Sequence, residues 1–307
     1  MACYHPLDAK LSPSGKPIFK NNVNYGRFTK LIKLPCGRCI GCKLDRSKTW
    51  AIRLMHEAQL HECKAFITLT IDDARAENHA HERTKTLIKK DLQLFTKRLR
   101  EDERYKNPSS KIKYYAVGEY GEKLGRPHYH IALYGTEFGD DRNQWRTDES
   151  GPIYRSSRLE RLWPYGNSEI GTLTFKSAAY IARYITKKLT PGRTDESKEA
   201  YHAKYTAEGK IPEFSMISNG LGKDWLTKYK TDVYPHDYVL MEGKQLKPPR
   251  YYDQLLELWD AEQLELVKEE RERKRLEQPE SESFPERLRV KEQVAIARLS
   301  LNKRTLE

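Results

Sequence analysis

The sequence contains no run of apolar residues long enough to cross a membrane, which takes about 18 to 20 in succession. Its opening residues, MACYH, lack a basic stretch followed by an apolar one, so we expect no secretory signal. Only five cysteines are present, an odd number, and three of them fall within seven residues. This usage argues against the disulfide framework of a secreted protein and favours a reducing cytoplasm.

Positive charge, by contrast, is in excess and is unevenly distributed. The chain has 56 Lys and Arg against 44 Asp and Glu, a formal net charge of +12. Residues 253–307 hold 11 basic and 14 acidic side chains, so the first 252 residues carry a net charge of +15. Such a body is typical of a protein with a polyanionic partner, although charge alone does not distinguish DNA, RNA and membrane lipid. The 19 tyrosines, against 8 phenylalanines, suit surfaces that stack on bases, or ordinary amphipathic faces.

The order of the periodic segments predicts the fold class. Short apolar, β-branched runs indicate strands at residues 66–71, 113–119 and 128–134, whereas helical spacing indicates helices at residues 91–103 and 177–188. A turn, rather than a helix, joins the two central strands, as in an antiparallel sheet. We therefore predict an α+β fold with a central antiparallel sheet and helices packed on one face.

Outside this middle region the chain changes character twice. Residues 3–42 are rich in turn formers and indicate loops and short strands. Beyond residue 252 a few leucines give way to a charged run, interrupted at Pro279 and Pro285, which is typical of a solvated helix; a helix that docks on a partner or a second copy is the alternative. We divide the chain into a Cys-rich N-terminal segment and helix, a main domain, a linker and a charged helical tail: residues 1–62, 63–230, 231–252 and 253–307.

Two histidines on the last central strand, His128 and His130, form the first candidate site. Residues two apart on a strand point to the same face, so both imidazoles project together and can share one divalent ion. Imidazole alone suits Zn²⁺, Cu²⁺ or Mn²⁺, and an added carboxylate widens the choice to Mn²⁺ and Mg²⁺. Glu119, at the end of the preceding strand, can supply that carboxylate, with Glu122 on the turn as its competitor. The alternative is a pair of surface histidines on an exposed strand.

A helix carries the second candidate site. Ser177 is its predicted N-cap, and Tyr180, Tyr184 and Lys187 follow on one stripe at i, i+4 and i+7. A phenol is a poor nucleophile at neutral pH unless a cation lowers its pKa or a base takes its proton. A metal ion and Lys187 could both help, and both would neutralise charge on a phosphodiester. The alternative is a pair of tyrosines packed in the core.

Three cysteines, Cys36, Cys39 and Cys42, are spaced so that their sulfurs can converge on one ion, which predicts a structural zinc site that holds the N-terminal loop. A tetrahedral site needs a fourth ligand, for which the candidates in order of preference are Cys3, then His5 or Cys63. An iron–sulfur cluster would require another cysteine at the position of Arg46. Reduced thiols without a metal are the remaining alternative.

Taken in chain order, three of these patterns resemble the motifs of the HUH endonuclease superfamily: the strand Phe66–Thr70, the pair His128 and His130, and the stripe of Tyr180, Tyr184 and Lys187. The third motif, with two tyrosines, is similar to that of the rolling-circle replication initiators. Three further segments resemble the replication-associated proteins of gokushoviruses, which are Microviridae, small phages with circular single-stranded DNA: Pro35–Cys42, Trp50–His61 and Gly118–His128. The resemblance covers about residues 1–230 and leaves the tail unexplained.

The resemblance implies a site-specific nickase with the ferredoxin- or RRM-like fold of that superfamily. One tyrosine would cut origin DNA, keep the 5′ end as a phosphotyrosine and free a 3′-OH for synthesis; the second would later cut the regenerated origin, so that the ends join into a circle. His128 and His130 are implied as ligands of Mg²⁺ or Mn²⁺, with Glu119 as our choice of third ligand. Lys187 matches the basic position of the third motif, and we favour Tyr184 for the first cut because Lys187 follows it.

The same resemblance implies where the protein works and with what. We expect single-stranded and origin DNA, a host helicase and polymerase, and the host bacterial cytoplasm, with no membrane partner. The chain has no Walker A pattern with which to supply a helicase itself. Two alternatives stay open: a transposase or conjugative relaxase of the same chemistry, and a non-catalytic DNA-binding protein that uses the sheet as a platform.

Overall fold

The structure is a computed structural model, and it describes residues 3–28, 30–77, 81–121, 124–148, 151–188, 199, 203 and 205–301. For residues 76, 77, 81, 82, 184–188 and 301 it describes the backbone alone. Within these ranges, residues 3–46 together with 269–301 form one compact unit, and residues 47–268 form another. No helix in the described ranges is both long and apolar enough to span a membrane.

The first unit begins with a small antiparallel sheet, in which the central strand lies between the other two. Its strands are β1 (Leu7–Leu11), β2 (Pro17–Phe19) and β3 (Leu31–Leu34), in the order β2-β1-β3. Ala9, on the central strand, is fully buried. Short strands joined by turns are what the composition of residues 3–42 predicts.

A seven-stranded sheet forms the centre of the second unit. In chain order its strands are β4 (Lys64–Thr70), β5 (Lys113–Tyr120), β6 (Pro127–Tyr134), β7 (Arg142–Asp148), β8 (Gly151–Ser156), β9 (Ser168–Gly171) and β10 (Phe214–Ile217). They lie in the order β10-β5-β6-β4-β9-β8-β7, and every neighbouring pair is antiparallel. This sheet confirms the predicted α+β class. A separate hairpin, β11 (Val239–Met241) and β12 (Lys244–Leu246), follows later in the chain.

The α-helices of the described residues connect and cover these sheets. In chain order they are α1 (Ile40–Ala58), α2 (Asp73–Glu77), α3 (Lys89–Lys106), α4 (Ser157–Leu162), α5 (Phe175–Lys188), α6 (Lys223–Val233), α7 (Arg250–Trp259), α8 (Ala261–Leu276) and α9 (Pro285–Leu301). The predicted helix at residues 91–103 is α3, which is a few residues longer at each end.

Helices cover both faces of the large sheet, rather than the single face that the sequence predicts. On β4, Ile67 belongs to the same buried cluster as Phe95 of α3. Its neighbour Phe66 points the other way and belongs to a cluster with Leu54 of α1 and Ile181 of α5. Because consecutive residues of this central strand are apolar, each face of the sheet has hydrophobic surface that must be covered.

Helix α5 begins two residues earlier than predicted, and its N-cap is Thr174 rather than Ser177. The Thr174 Oγ1 accepts a hydrogen bond from the Ser177 backbone N–H at 3.1 Å. The Ser177 Oγ in turn accepts one from the Thr174 N–H at 2.9 Å. This reciprocal pair resembles a capping box and satisfies two backbone donors at the start of the helix.

The charged tail is only partly a solvated helix. Leu255 and Leu256 of α7, with Leu264 and Val267 of α8, are buried in the same cluster as Trp225 of α6. The remainder of α8 and α9 is mostly exposed, and the helix is interrupted between the two, as the prolines there predict. The first part of the tail therefore belongs to the core of the second unit, because its leucines recur on one face of α7.

Candidate active site

Glu119, His128 and His130 come together on one face of the large sheet. Glu119 of β5 pairs directly with His128 of β6, and His130 lies two residues further along β6 on the same face. The Nε2 atoms of His128 and His130 lie 2.9 Å and 3.0 Å from the same carboxylate oxygen, Oε1 of Glu119. The three predicted metal ligands thus form one group whose ligand atoms all lie within 4.8 Å of one another.

Burial and charge act in opposite directions at this group. Glu119 is 1% exposed, and burial alone would raise its pKa, but the two imidazoles outweigh this and lower the pKa to about 2. For His130, burial is the largest cause and lowers the pKa, while the carboxylate of Glu119 opposes it. A carboxylate that stays ionised beside an imidazole that stays neutral is the state in which both bind a cation.

Neighbouring groups orient both imidazoles. The Nδ1 of His128 donates to the carbonyl oxygen of Arg126 at 3.2 Å, and the Nδ1 of His130 lies 3.0 Å from Oγ1 of Thr68. With each Nδ1 occupied, each Nε2 is directed at the centre of the group. The register explains the role of Thr68, because β4 pairs this residue directly with His130.

The residues present fit a divalent cation. The second carboxylate oxygen of Glu119, Oε2, is buried and has no hydrogen-bond partner among the described residues. A buried carboxylate oxygen without a donor is costly unless a cation or water satisfies it. Two imidazole nitrogens and one carboxylate suit Mn²⁺ or Zn²⁺, and the carboxylate extends the range to Mg²⁺.

Tyr180 lies against this group. Its hydroxyl donates to Oε1 of Glu119 at 3.4 Å, and its ring meets the ring of His130 edge-on, with centroids 5.4 Å apart. Ala178 and Ile181, both fully buried, hold this part of α5 against the sheet. The backbone of α5 extends through Tyr184 and Lys187, but their side chains lie outside the described residues, as does Glu122.

A cleft of about 510 Å³ opens beside His128. Most of its lining is polar and comes from the end of β4, the start of α2, the β5–β6 turn and the residue before β9: Thr70, Asp72, Asp73, Arg126, His128 and Asn167. Arg126 forms an ion pair with Asp73 across it. The cleft gives a substrate access to the metal-binding group, and sequence reasoning missed its lining because these residues are far apart in the chain.

The four predicted zinc ligands also come together, in the first unit. The sulfurs of Cys3, Cys36, Cys39 and Cys42 all lie within 4.8 Å of one another, and the pairs Cys36–Cys42 and Cys3–Cys39 are 3.9 Å apart. A regular tetrahedron with Zn–S bonds of about 2.3 Å places its sulfurs about 3.8 Å apart. Cys63 is exposed and lies outside this group.

Backbone N–H groups point at these sulfurs. The N–H of Cys36 donates to Sγ of Cys3 at 3.2 Å, and the N–H groups of Arg38 and Cys39 donate to Sγ of Cys36 at 3.4 Å and 3.3 Å. Burial would raise the pKa of Cys36, but these donors outweigh it and lower the pKa to about 7. Donors of this kind stabilise thiolates, the form in which cysteine binds metal.

The chain is similar to known replication proteins. A family model whose description begins "Replication-associated protein ORF2" matches residues 64–189. Replication-associated protein VP4 of Bdellovibrio phage phiMH2K is 31% identical over 258 residues, which cover 82% of this chain and 76% of that protein. The chain belongs to this family of replication-associated proteins.

Two further relatives of this replication-associated protein agree. Replication-associated protein ORF2 of Spiroplasma virus 4 is 32% identical over 289 residues, 89% of this chain and 86% of that protein. Replication-associated protein ORF4 of Chlamydia phage 1 is 30% identical over 230 residues, 73% of this chain and 53% of that protein. No solved structure is significantly similar to the chain. The resemblance to replication-associated proteins of Microviridae is therefore confirmed.

Proposed function

We propose that this replication-associated protein is a metal-dependent DNA nicking and joining enzyme of the HUH type that initiates rolling-circle replication. The observation that carries the proposal is the Tyr180 hydroxyl, 3.4 Å from the carboxylate oxygen that also contacts His128 and His130. A nucleophile within one hydrogen bond of a metal-binding group is the arrangement that phosphoryl transfer by a tyrosine requires.

Glu119, His128 and His130 would hold Mg²⁺ or Mn²⁺. When bound, the ion would polarise the phosphodiester and neutralise part of its negative charge. Thr68 and the carbonyl of Arg126 keep the imidazoles turned towards the centre of the group. The edge-on contact between His130 and Tyr180 keeps the phenol beside it.

In the proposed cut, the Tyr180 oxygen bonds to phosphorus while the bond from phosphorus to the 3′ oxygen of the preceding nucleotide breaks. The phenol loses its proton and the 3′ oxygen gains one, so the products are a 5′ phosphotyrosine and a 3′-OH. One ester replaces another, which conserves the bond for the later joining step. Tyr184, one turn along α5, would be the second nucleophile and Lys187 a neutralising cation; the first cut stays predicted for Tyr184.

This role implies the protein's surroundings and its division of labour. Its partners would be single-stranded and origin DNA, with a host helicase and polymerase, in the cytoplasm of a bacterial host. Residues 63–230 would be the nicking domain, preceded by the Cys-rich segment 1–62 and followed by the linker 231–252 and the tail 253–307. The family-model match to residues 64–189 supports the first of these assignments.

The test is a search for a covalent protein–DNA species. The full chain is mixed with Mn²⁺ and labelled single-stranded fragments that tile the genome encoding it, and the products are separated on a denaturing gel. We expect a shifted band from one fragment, lost when Tyr180→Phe and Tyr184→Phe are combined. Tyr105→Phe, at a tyrosine that is 93% exposed, is the matched control and should keep the band.

The outcomes separate the alternatives. A covalent band that persists in the double variant would contradict the tyrosine assignment. Tight binding without any band would favour the non-catalytic platform. Single Tyr180→Phe and Tyr184→Phe variants, each given the same fragment, identify which tyrosine makes the first cut. A relaxase or transposase would cut fragments outside the replication origin.

We further propose that Cys3, Cys36, Cys39 and Cys42 bind a structural zinc ion. Tetrahedral spacing of the sulfurs and three N–H donors to them support this assignment. Protein purified without chelator should contain about one zinc per chain by elemental analysis. Cys36→Ser should lose the zinc, whereas Cys63→Ser should keep it. Absence of zinc, or iron in its place, would contradict the proposal.

A further inference from the structure

The sheet face that carries the metal-binding group continues beyond β4. Thr68 of β4 pairs with His130 of β6 on one side and with Glu169 of β9 on the other, so these three residues share a face. Beyond β9 lie β8 and the edge strand β7. At about 4.8 Å per strand, β7 lies about 19 Å from β6. A substrate longer than one nucleotide that enters the site can therefore lie along this face.

Arg155 of β8 also lies on this face. Its neighbour Tyr154 pairs with Ile170 of β9, which is buried in the core on the opposite face. Successive residues of a strand alternate between faces, so Arg155 points to the side of the metal-binding group. Arg155 in turn pairs with Asn143 of β7, which places the edge of the sheet within its reach.

At that edge Arg155 stacks on an exposed tryptophan. Trp145 is 57% exposed and lies where the β7–β8 register is interrupted, between Gln144 and Arg146. Such bulges redirect a side chain. The guanidinium carbon of Arg155 lies 4.1 Å from the Trp145 ring centroid, and its Nε is buried without a hydrogen-bond partner among the described residues. The ring, rather than an acceptor for that nitrogen, therefore holds the guanidinium.

We propose that Trp145 and Arg155 form a stacking platform for a base of single-stranded DNA on its way to the Glu119, His128 and His130 group. The proposal rests on the nicking function, because it concerns the path of the same substrate. Aromatic rings beside arginine stack on bases of any sequence. The net charge of +15 over the first 252 residues suits a polyanion.

The surroundings of Trp145 favour nucleic acid over a protein partner. Its neighbours on β7 are polar or charged and exposed: Asn143, Gln144, Arg146 and Thr147. A protein interface needs a contiguous apolar centre around such an anchor, which β7 does not offer. Arg146 is already paired with Glu169, at 2.9 Å between Nη2 and Oε2, so Arg155 is the cation on the ring.

The first test measures binding by the full chain with no divalent metal present, so that no cut occurs. Fluorescence anisotropy follows a labelled oligothymidylate. Trp145→Ala should weaken binding about tenfold, and Trp145→Phe, which retains a ring, should weaken it less. Arg155→Lys keeps the charge but loses the planar stack, so it should also weaken binding. Trp259→Ala, at another exposed tryptophan (41%), is the matched control and should bind as wild type.

The second test locates the base directly. An oligonucleotide that contains 5-iodouracil is crosslinked by light, and the modified peptide is identified by mass spectrometry; we expect modification at Trp145. Wild-type affinity in Trp145→Ala, a crosslink elsewhere, or no binding by the wild type would overturn the platform. Unchanged circular dichroism of Trp145→Phe and Arg155→Lys guards against misfolding. Since these readouts need no cut, loss of the covalent band in the nicking test would leave them intact, and failure here would leave that band.

Discussion

Glu119 is the residue on which the candidate site depends. One of its oxygens contacts both imidazoles and the Tyr180 hydroxyl, and the other is buried without a partner among the described residues. Removing its charge should therefore affect metal binding and the position of the nucleophile together.

We predict that Glu119→Gln weakens Mn²⁺ binding at least about tenfold, because the amide has the shape of the carboxylate without its charge. Electron paramagnetic resonance of free Mn²⁺ during a titration measures this. The matched control is Glu169→Gln, since Glu169 lies on the same face but is paired with Arg146. Equal affinities for the two variants would exclude Glu119 from the ligand set.

His56 is a second residue with a large environmental effect, remote from the candidate site in sequence. It is 1% exposed, stacks on Trp225 with centroids 3.4 Å apart, and bonds to the Tyr252 hydroxyl at 2.8 Å. Burial lowers its pKa from 6.5 to about 3. The folded protein therefore resists protonation of this imidazole, whereas the unfolded chain does not.

The pH dependence follows from that difference. Between pH 6.5 and 3 the unfolded state binds the proton and the folded state does not, so stability falls as pH falls through this window. From pH 7 to 5, His56 should remove about 2 kcal/mol. Urea unfolding followed by tryptophan fluorescence at both pH values measures the loss. It should shrink by that amount in His56→Gln; an unchanged loss would show that His56 is not the cause.

At the residue scale, the candidate site could be predicted only where local pattern determines it. Strand alternation places His128 and His130 together, and the hairpin brings Glu119 opposite. Thr68 contacts His130 because β4 pairs with β6, which lies more than fifty residues away in the chain. Asn167 reaches the cleft through β9 in the same way. No local period encodes pairings between distant strands, so these residues were missed.

At the scale of elements, prediction succeeded where amphipathic pattern was strong and failed at the edge of the sheet. Helices α3 and α5 and strands β4 to β6 occur where periodicity indicates them. Strand β7 has almost no apolar residues and is exposed, so its hydrogen bonds to β8, rather than burial, define it. Helix α7 was assigned to a solvated tail because the charged run that follows it dominates the local composition.

The packing of α7 allows a direct test. Leu256 is fully buried in the core, whereas Leu258 on the same helix is 80% exposed. We predict that Leu256→Ala lowers the free energy of unfolding of the second unit by about 2 to 5 kcal/mol, through lost burial and the cavity left behind. Leu258→Ala should change it by less than about 0.5 kcal/mol. Chemical unfolding measures both, and equal effects would return α7 to the solvated tail.

At the scale of the whole molecule, charge and chemistry coincide along the chain. The first 252 residues carry +15 and include the metal-binding group, the cysteine group and the stacking platform, whereas residues 253–307 carry −3. A polyanion is therefore attracted to the part of the sequence that would process it. Part of the acidic segment stabilises the second unit through the apolar side chains of α7 and α8.

This distribution predicts a steep salt dependence of DNA binding. Each phosphate neutralised on a single strand contributes about −0.7 to the slope of log K against log salt, so about four contacts give a slope near −3. Raising salt from about 50 to about 200 mM should then weaken binding about 60-fold. Anisotropy with an oligothymidylate, without divalent metal, measures the slope. Trp145→Ala should weaken binding at every salt concentration yet keep the slope, because stacking releases no counterions. A flat wild-type slope would mean that the net positive charge does not face the DNA.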